Sequence, residues 1–158
     1  DRPEQAGADR LVNAVAAAAW HNLPAIVIDF GTATTLDLIG PRGAYEGGII
    51  APGVNLSIEA LYMAAARLPR IAVKPWQKDM PVLGSNTISA MQSGVFWGYV
   101  GMVEGLLTRL RHSYGVDLPA IVTGGLAPLF ADHINGPLVV DADLTLKGLV
   151  RIHAQNNT

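Results

Sequence analysis

The sequence predicts an α/β domain: a mixed β-sheet covered by helices on both faces. Three observations predict it. Three strand-like runs, Ala25–Ile28, Ala33–Ile39 and Ala44–Ile50, follow one another with only short turns between them, as antiparallel neighbours do. Two later strand-like runs, Leu118–Val122 and Leu138–Val140, alternate with helical patterns, as strands joined by crossovers do. Half of the 158 residues are hydrophobic, enough to fill the core of one domain of this length.

Each element has a local reason. Over Ala8–His21, Leu11, Val12, Val15, Ala19 and Trp20 recur with a helical period, and Asn22 is a plausible stop. Ala25–Ile28 is a short apolar run suited to a buried strand, and Ala33–Ile39 follows it. Pro41-Arg42-Gly43 is a turn. The third strand, Ala44–Ile50, carries Glu46-Gly47-Gly48 and ends at Pro52-Gly53. A helix over Asn55–Arg67 offers Leu56, Ile58, Leu61 and Tyr62 to a buried face. Leu68–Gly84 holds Pro69, Pro75 and Pro81 with Arg70, Lys74, Lys78 and Asp79, and reads as a surface loop. A long helix spans Thr87–His112 and stops near Gly115. After Leu118–Val122, Thr123-Gly124-Gly125 turns into a short helix ending near His133. Leu138–Val140 and a closing helix, Leu144–Ala154, complete the order. This is the layout of a ribonuclease-H-like half of an actin-type ATPase.

Several chemistries lack residues to support them. The formal net charge of −2 argues against a nucleic-acid binder. Cysteines are absent, so there is no disulfide, thiolate nucleophile or Cys-bound zinc, which is compatible with a reducing cytoplasm. No apolar stretch reaches the ~18 residues of a membrane span. The candidate Ile88–Leu110 is broken by Gln92, Ser93, Glu104 and four glycines. No G-x-x-x-x-G-K-[ST], G-x-G-x-x-G or G-x-S-x-G occurs, and His21, His112, His133 and His153 lack metal-ligand spacing.

The chemistry concentrates at four glycine-bearing junctions. In Ile26-Val-Ile-Asp-Phe-Gly-Thr-Ala-Thr-Thr-Leu-Asp37 a strand reaches Asp29, turns at Gly31 and continues through threonines. Asp29 can hold a cation, Gly31 admits a ligand close to the backbone, and Thr hydroxyls and N–H groups bind phosphate oxygens. A plain hairpin explains the same residues. Gly47-Gly48 and Pro52-Gly53 before a helix allow a close backbone approach beside free helix N–H groups, or make a bulge and a turn. Gly124-Gly125 can pass beneath a nucleotide base or ribose. In Gly7-Ala8-Asp9-Arg10, Asp9 is either a helix cap or a general base. Arg10 is either a fork for a substrate carboxylate or half of an ion pair.

Together these segments resemble the type III pantothenate kinases, the Bvg accessory factor family. The matching pieces are Gly7-Ala-Asp-Arg10, Asp29-Phe-Gly-Thr-Ala-Thr-Thr-Leu-Asp37, Gly47-Gly-Ile-Ile-Ala-Pro-Gly53, Asn86-Thr87 with Ala90-Met-Gln-Ser-Gly94, Thr123-Gly-Gly125 and Leu144-Thr-Leu-Lys-Gly-Leu149. They come in the family's order. The resemblance implies a fold of the acetate and sugar kinase/Hsp70/actin superfamily. It implies a cytoplasmic enzyme that moves the γ-phosphoryl group of ATP, as its Mg2+ complex, to the terminal hydroxyl of pantothenate, the entry step of coenzyme A synthesis. Asp9 is then the general base, and Gly7, Ala8 and Arg10 line the pantothenate site. Asp29 is the ligand of a monovalent cation, potassium or ammonium. Thr32 contacts ATP, with Gly31, Gly124 and Gly125 around the nucleotide. Thr87 reaches pantothenate from the partner subunit, so a homodimer is implied, with no nucleic acid and no membrane. Met91, Val95, Trp97, Val103 and Leu106 give the long helix apolar surface for such a dimer, or for an internal core.

The family's first phosphate motif, Asp-x-Gly-Asn-Thr, is absent, and about one further domain of ~100 residues is expected before Asp1. Residues 1–22 are expected to form a connecting helix with the substrate motif, and 23–158 the C-terminal ribonuclease-H-like domain. Such a chain is expected to fold alone but not to turn over ATP alone. The competing readings are a non-catalytic accessory regulator of the same fold and a dimerisation module.

Overall fold

A computed structural model describes residues 6–65, 67–115 and 118–157. The start Asp1–Glu4 and part of the helix expected to reach Arg67 lie outside the described residues. The elements are α1 (Ala8–Trp20), β1 (Ala25–Phe30), β2 (Ala33–Ile39), β3 (Tyr45–Pro52), α2 (Val54–Ala64), α3 (Thr87–Tyr114), β4 (Ala120–Thr123), α4 (Ala127–Phe130), a 3-10 turn (Ala131–His133), β5 (Leu138–Val140) and α5 (Leu144–Asn156). The five strands form one sheet in the order β3-β2-β1-β4-β5. The pairs β1–β2 and β2–β3 are antiparallel, whereas β1–β4 and β4–β5 are parallel. The mixed sheet expected from the sequence is present.

Strand alternation divides the core between two faces. Ile26, Ile28 and Phe30 of β1 and Val122 of β4 pack with α2, α3 and α4 through Val54, Ile58, Phe96, Val103 and Phe130. Ala25, Val27 and Ile121 pack on the other face with Ala14, Ala16 and Ala17 of α1 and Leu144 of α5. Asp29 therefore rises from the α1 face, at the end of a strand otherwise almost entirely buried.

Two helices bury a different stripe from the one their large side chains suggest. In α1 the buried residues are Val12, Asn13, Ala14, Ala16 and Ala17, whereas Leu11 and Trp20 are exposed. The reason is close approach. A Cβ on Gly148 of α5 would overlap the Val12 carbonyl oxygen and lie 2.7 Å from Val12 Cγ1, so only small residues fit this crossing. In α2 the buried residues are Val54 and Ile58, with Leu56, Leu61 and Tyr62 exposed. Tyr99 of α3 donates to the Pro52 carbonyl at 3.0 Å. Its single proton is then used, so Ser57 of α2 donates to the Tyr99 hydroxyl.

The helix α3 is a core helix, burying Met91, Phe96, Tyr99, Val100, Val103 and Leu107. A capping box between Asn86 and Ser89 starts it, and Gly115 at φ +73° ends it. The irregular segment before it is pinned by Trp76, whose ring stacks on Phe96 at 5.3 Å and meets Trp97 edge-on at 5.4 Å. Among the described residues no helix is long and apolar enough to cross a membrane.

Candidate functional site

The site gathers where β1 and β4 end, beside the first turns of α1 and α2. Asp29, the penultimate residue of β1, accepts a hydrogen bond on Oδ2 from Asn13 Nδ2 at 3.0 Å. Thr145 of α5 donates to Asn13 Oδ1 at 2.7 Å. Burial pushes the Asp29 carboxyl above its ordinary pKa. The Asn13 bond opposes this, and the charges of Asp9 and Asp37 add to it. Its Oδ1 faces Gly124, where φ is +93° and a Cβ would strike that oxygen. Thr123 is in register with Asp29 on the neighbouring strand, so both side chains rise from one face. The Thr123 hydroxyl is buried with no hydrogen-bond partner among the described residues. A carboxylate and an unsatisfied hydroxyl in register on one face are hard oxygen donors, of the kind that can hold a hard cation.

Asp9 lies on the first turn of α1, one turn before Asn13 on the same side of the helix. It is exposed. The N-cap position belongs to Gly7, which has no side-chain cap bond, so Asp9 is not the N-cap residue. A Cβ on Gly7 would stand 2.6 Å from Asp9 Oδ1. Ala8 opens the helix between them, exposed to solvent.

Arg10 makes the ion pair that the sequence offered as one of two roles. Its Nε donates to Asp37 Oδ1 at 2.9 Å and its Nη2 donates to the same oxygen. Asp37 is 1 % exposed and also accepts from Tyr45 and Thr35, each at 3.2 Å. The guanidinium lies 5.4 Å from the centre of the Tyr45 ring. Gly48 makes room for the pair: a Cβ there would strike Asp37 Oδ1 and lie 2.6 Å from Arg10 Nη2.

A cleft of about 490 Å³ opens on the other side of the β1–β2 turn, lined by Phe30, Gly31, Thr32, Asn55, Leu56, Gly125 and Leu126. Three candidate nucleotide residues, Gly31, Thr32 and Gly125, thus share one wall, while Gly124 sits against Asp29. The first turn of α2 borders the cleft, its N-cap Gly53 making no side-chain cap. Its backbone N–H groups are those a helix leaves for an anion. A Cβ on Gly53 would overlap the Thr32 carbonyl, so only glycine lets α2 start this close to the turn. Thr87 is exposed on the first turn of α3, outside the cleft lining and the Asp9–Asp29 group.

Sequence reasoning missed Asn13, Thr145, Thr123 and Asp37 as parts of this arrangement. One signal was available for Asn13: it lies four residues after Asp9, a polar residue among the alanines of α1.

A family model of type III pantothenate kinases matches residues 1–109. The chain belongs to the type III pantothenate kinase family. A relative named type III pantothenate kinase from Paramagnetospirillum magneticum is 57 % identical over 159 residues, covering 100 % of this chain and 60 % of the relative. The chain spans about 60 % of the length of the relatives it matches. Among solved structures, one from Campylobacter jejuni ascribed to Baf family transcriptional activators superposes with a TM-score of 0.68 at 22 % identity, over 99 % of this chain and 68 % of that one. The ethanolamine utilization protein EutJ from Carboxydothermus hydrogenoformans gives 0.52 at 18 %, over 87 % and 52 %. The fold, a mixed five-stranded sheet of the ribonuclease-H-like kind, is shared with these structures, and family membership rests on the sequence match.

Proposed function

We propose that this chain carries the substrate carboxylate, the cation ligand and one nucleotide wall of a kinase that phosphorylates pantothenate with ATP. One observation carries the reading: Asp9 lies one helical turn before Asn13, the residue that bonds Asp29, on one side of the β1–β2 turn, and Gly31, Thr32 and Gly125 line a cleft on the other. A phosphoryl group held at that turn would lie between nucleotide and alcohol.

The reaction forms a bond from the pantothenate hydroxyl oxygen to the γ-phosphorus and breaks the bond from that phosphorus to the β,γ-bridging oxygen. ADP leaves with the bond's electron pair. Asp9 accepts the hydroxyl proton, and its exposure on a free helix turn leaves it able to reach substrate. Gly31, Thr32 and the first turn of α2 orient phosphate oxygens through N–H and hydroxyl donors. Gly124 and Gly125 pass the nucleotide without side chains. A potassium or ammonium ion at Asp29, with Mg2+ on the phosphates, would offset the charge gathered in transfer. Gly7 and Ala8 are proposed to line the pantothenate site. Arg10 contributes there through the Asp37 pair that fixes the first turn of α1. Thr87, exposed on α3, is proposed to serve the site of a second subunit, which makes the working form a homodimer. The proposed location is the cytoplasm.

The test is ADP release with and without pantothenate, in potassium. This chain replaces the stretch it matches in the Paramagnetospirillum magneticum relative, beside an Asp9→Asn variant. Pantothenate-dependent turnover that collapses in the variant supports the kinase and the base together. Turnover that survives it removes Asp9 from that role. A folded, dimeric protein with no turnover favours the accessory regulator.

A further inference from the structure

Asn13 is 1 % exposed, on the stripe that α1 otherwise fills with Val12, Ala14, Ala16 and Ala17. A buried amide is tolerated only where its polar atoms are satisfied. Both ends of Asn13 are. Its Oδ1 accepts from Thr145 Oγ1 at 2.7 Å, and its Nδ2 donates to Asp29 Oδ2 at 3.0 Å. The hydroxyl must donate in the first bond, because ionised Asp29 is an acceptor that claims the amide N–H end for itself. The amide therefore has one orientation, set from α5 and delivered to β1. With Oδ2 held, the Asp29 carboxylate has one rotation, in which Oδ1 lies against the side-chain-free edge of Gly124. Ala in place of Asn13 would suit the helix better, so helix propensity gives no reason for the amide. The bond from Thr145 would tie α1 to α5 by itself; the second bond, to Asp29, is what that tie does not require.

We infer that Asn13 is a positioning residue for Asp29, anchored by Thr145, and that this pair sets how tightly Asp29 holds a monovalent cation. The inference rests on the proposal that Asp29 is the cation's ligand. Removing the residue that orients a metal ligand costs about ten- to a hundredfold in ion affinity. Asn13→Ala is expected near the lower figure, because the carboxylate itself stays. Thr145→Val keeps the volume, frees the Asn13 amide to rotate and has a smaller effect in the same direction.

The experiment follows the melting temperature of the full-length protein used in the turnover test, in which this chain replaces the stretch it matches in the Paramagnetospirillum magneticum relative. KCl replaces choline chloride at constant ionic strength, with saturating Mg·ADP throughout. Wild type, Asn13→Ala and Thr145→Val are compared. The expected result is a potassium-dependent rise in wild type whose midpoint moves to higher potassium in both variants, Asn13→Ala further by about tenfold. A purely structural hydrogen bond would lower the melting temperature equally at every potassium concentration and leave the midpoint in place. That result overturns the inference and leaves the kinase reading standing. No potassium response in wild type overturns the cation reading, and the inference with it. If Asn13→Ala does not fold, Thr145→Val, whose residue is only partly buried, decides the question by the same midpoint.

Discussion

Replacing Asp37 with Asn should destabilise the protein by about 3 kcal/mol, at the lower end of the ~3–5 kcal/mol typical for removing one partner of a buried ion pair. Asp37 is 1 % exposed and accepts four hydrogen bonds, two from Arg10 and one each from Tyr45 and Thr35. Asn keeps the shape but presents one NH2 group to these donors and removes the charge opposite Arg10. The Arg10 side chain is 12 % exposed, so water restores part of its solvation and the cost stays near the lower figure. For a chain of this length, ~2–4 °C of melting temperature is lost per kcal/mol, so the shift should be about 6–12 °C. Thermal and urea unfolding by far-UV circular dichroism measure it. The double variant Arg10→Met with Asp37→Leu should recover part of the loss, since apolar replacement of a buried pair is often neutral, while the Thr35 and Tyr45 hydroxyls still lose their acceptor. A loss below about 1 kcal/mol in Asp37→Asn would refute the argument. It would mean that the pair behaves as a solvated surface bridge.

Three further outcomes are expected. Gly53→Ala drives a methyl group into the Thr32 carbonyl, so it should cost about 1–3 kcal/mol as an overpacked site and shrink the ADP-induced rise in melting temperature. Asp29→Asn should raise the melting temperature at neutral pH. The folded-state pKa of Asp29 is raised, so ionising it opposes folding, and the advantage of Asn should fade as pH falls to the unfolded carboxylate value near ~4. Asp141 has the opposite sign. Burial pushes its carboxyl up, but bonds from Lys147 (2.8 and 2.9 Å) and His21 (2.9 Å) outweigh this and hold it below the ordinary range. Its stabilising contribution is present above the unfolded pKa and lost as pH falls through the folded one. Asp141→Asn should therefore cost about 1–3 kcal/mol at neutral pH, and the gap to wild type should close in acid melts.

The strands were legible because their signal is local. The run Ala25–Ile28 is apolar throughout, as a strand buried on both faces must be, and the turns beside it carry Gly or Pro. The packing faces of α1 and α2 were not legible. In α1 Leu11 and Trp20 dominate the hydrophobic pattern, yet small residues are buried because the crossing with α5 leaves no room for larger ones. In α2 Leu56 and Leu61 dominate it, yet Val54 and Ile58 are the residues that meet the core. The site divides in the same way. Gly31 and Thr32 sit in one short motif and line one cleft. The chain Thr145–Asn13–Asp29 joins residues 132 and 16 apart in sequence, and no window along the sequence contains it. Trp76, read as part of a loop, is an aromatic anchor because Phe96 and Trp97 come to it from α3.

The glycine-bearing motifs are better understood as contacts with one another than as separate signals. Gly48 of the second motif stands against the Arg10–Asp37 pair, which joins the first strand pair to the α1 motif. Gly53 stands against Thr32, and Gly124 against Asp29. Gly148, in the last motif, stands against Val12 of α1. In each case the missing side chain is the place where a distant segment of the site presses in. This explains why segments that individually suit a plain hairpin, bulge or turn occur together in one chain: positions 48, 53 and 148 need glycine because another segment is present, and position 124, at φ +93°, needs it for its backbone as well. A substitution at such a glycine therefore acts on the residue it touches. Gly53→Ala is a change to Thr32, Gly48→Ala a change to the Arg10–Asp37 pair, and Gly124→Ala a change to Asp29 added to the strain of a side chain at φ +93°. Their effects should be non-additive with substitutions at those partners and additive with one another wherever no contact is shared.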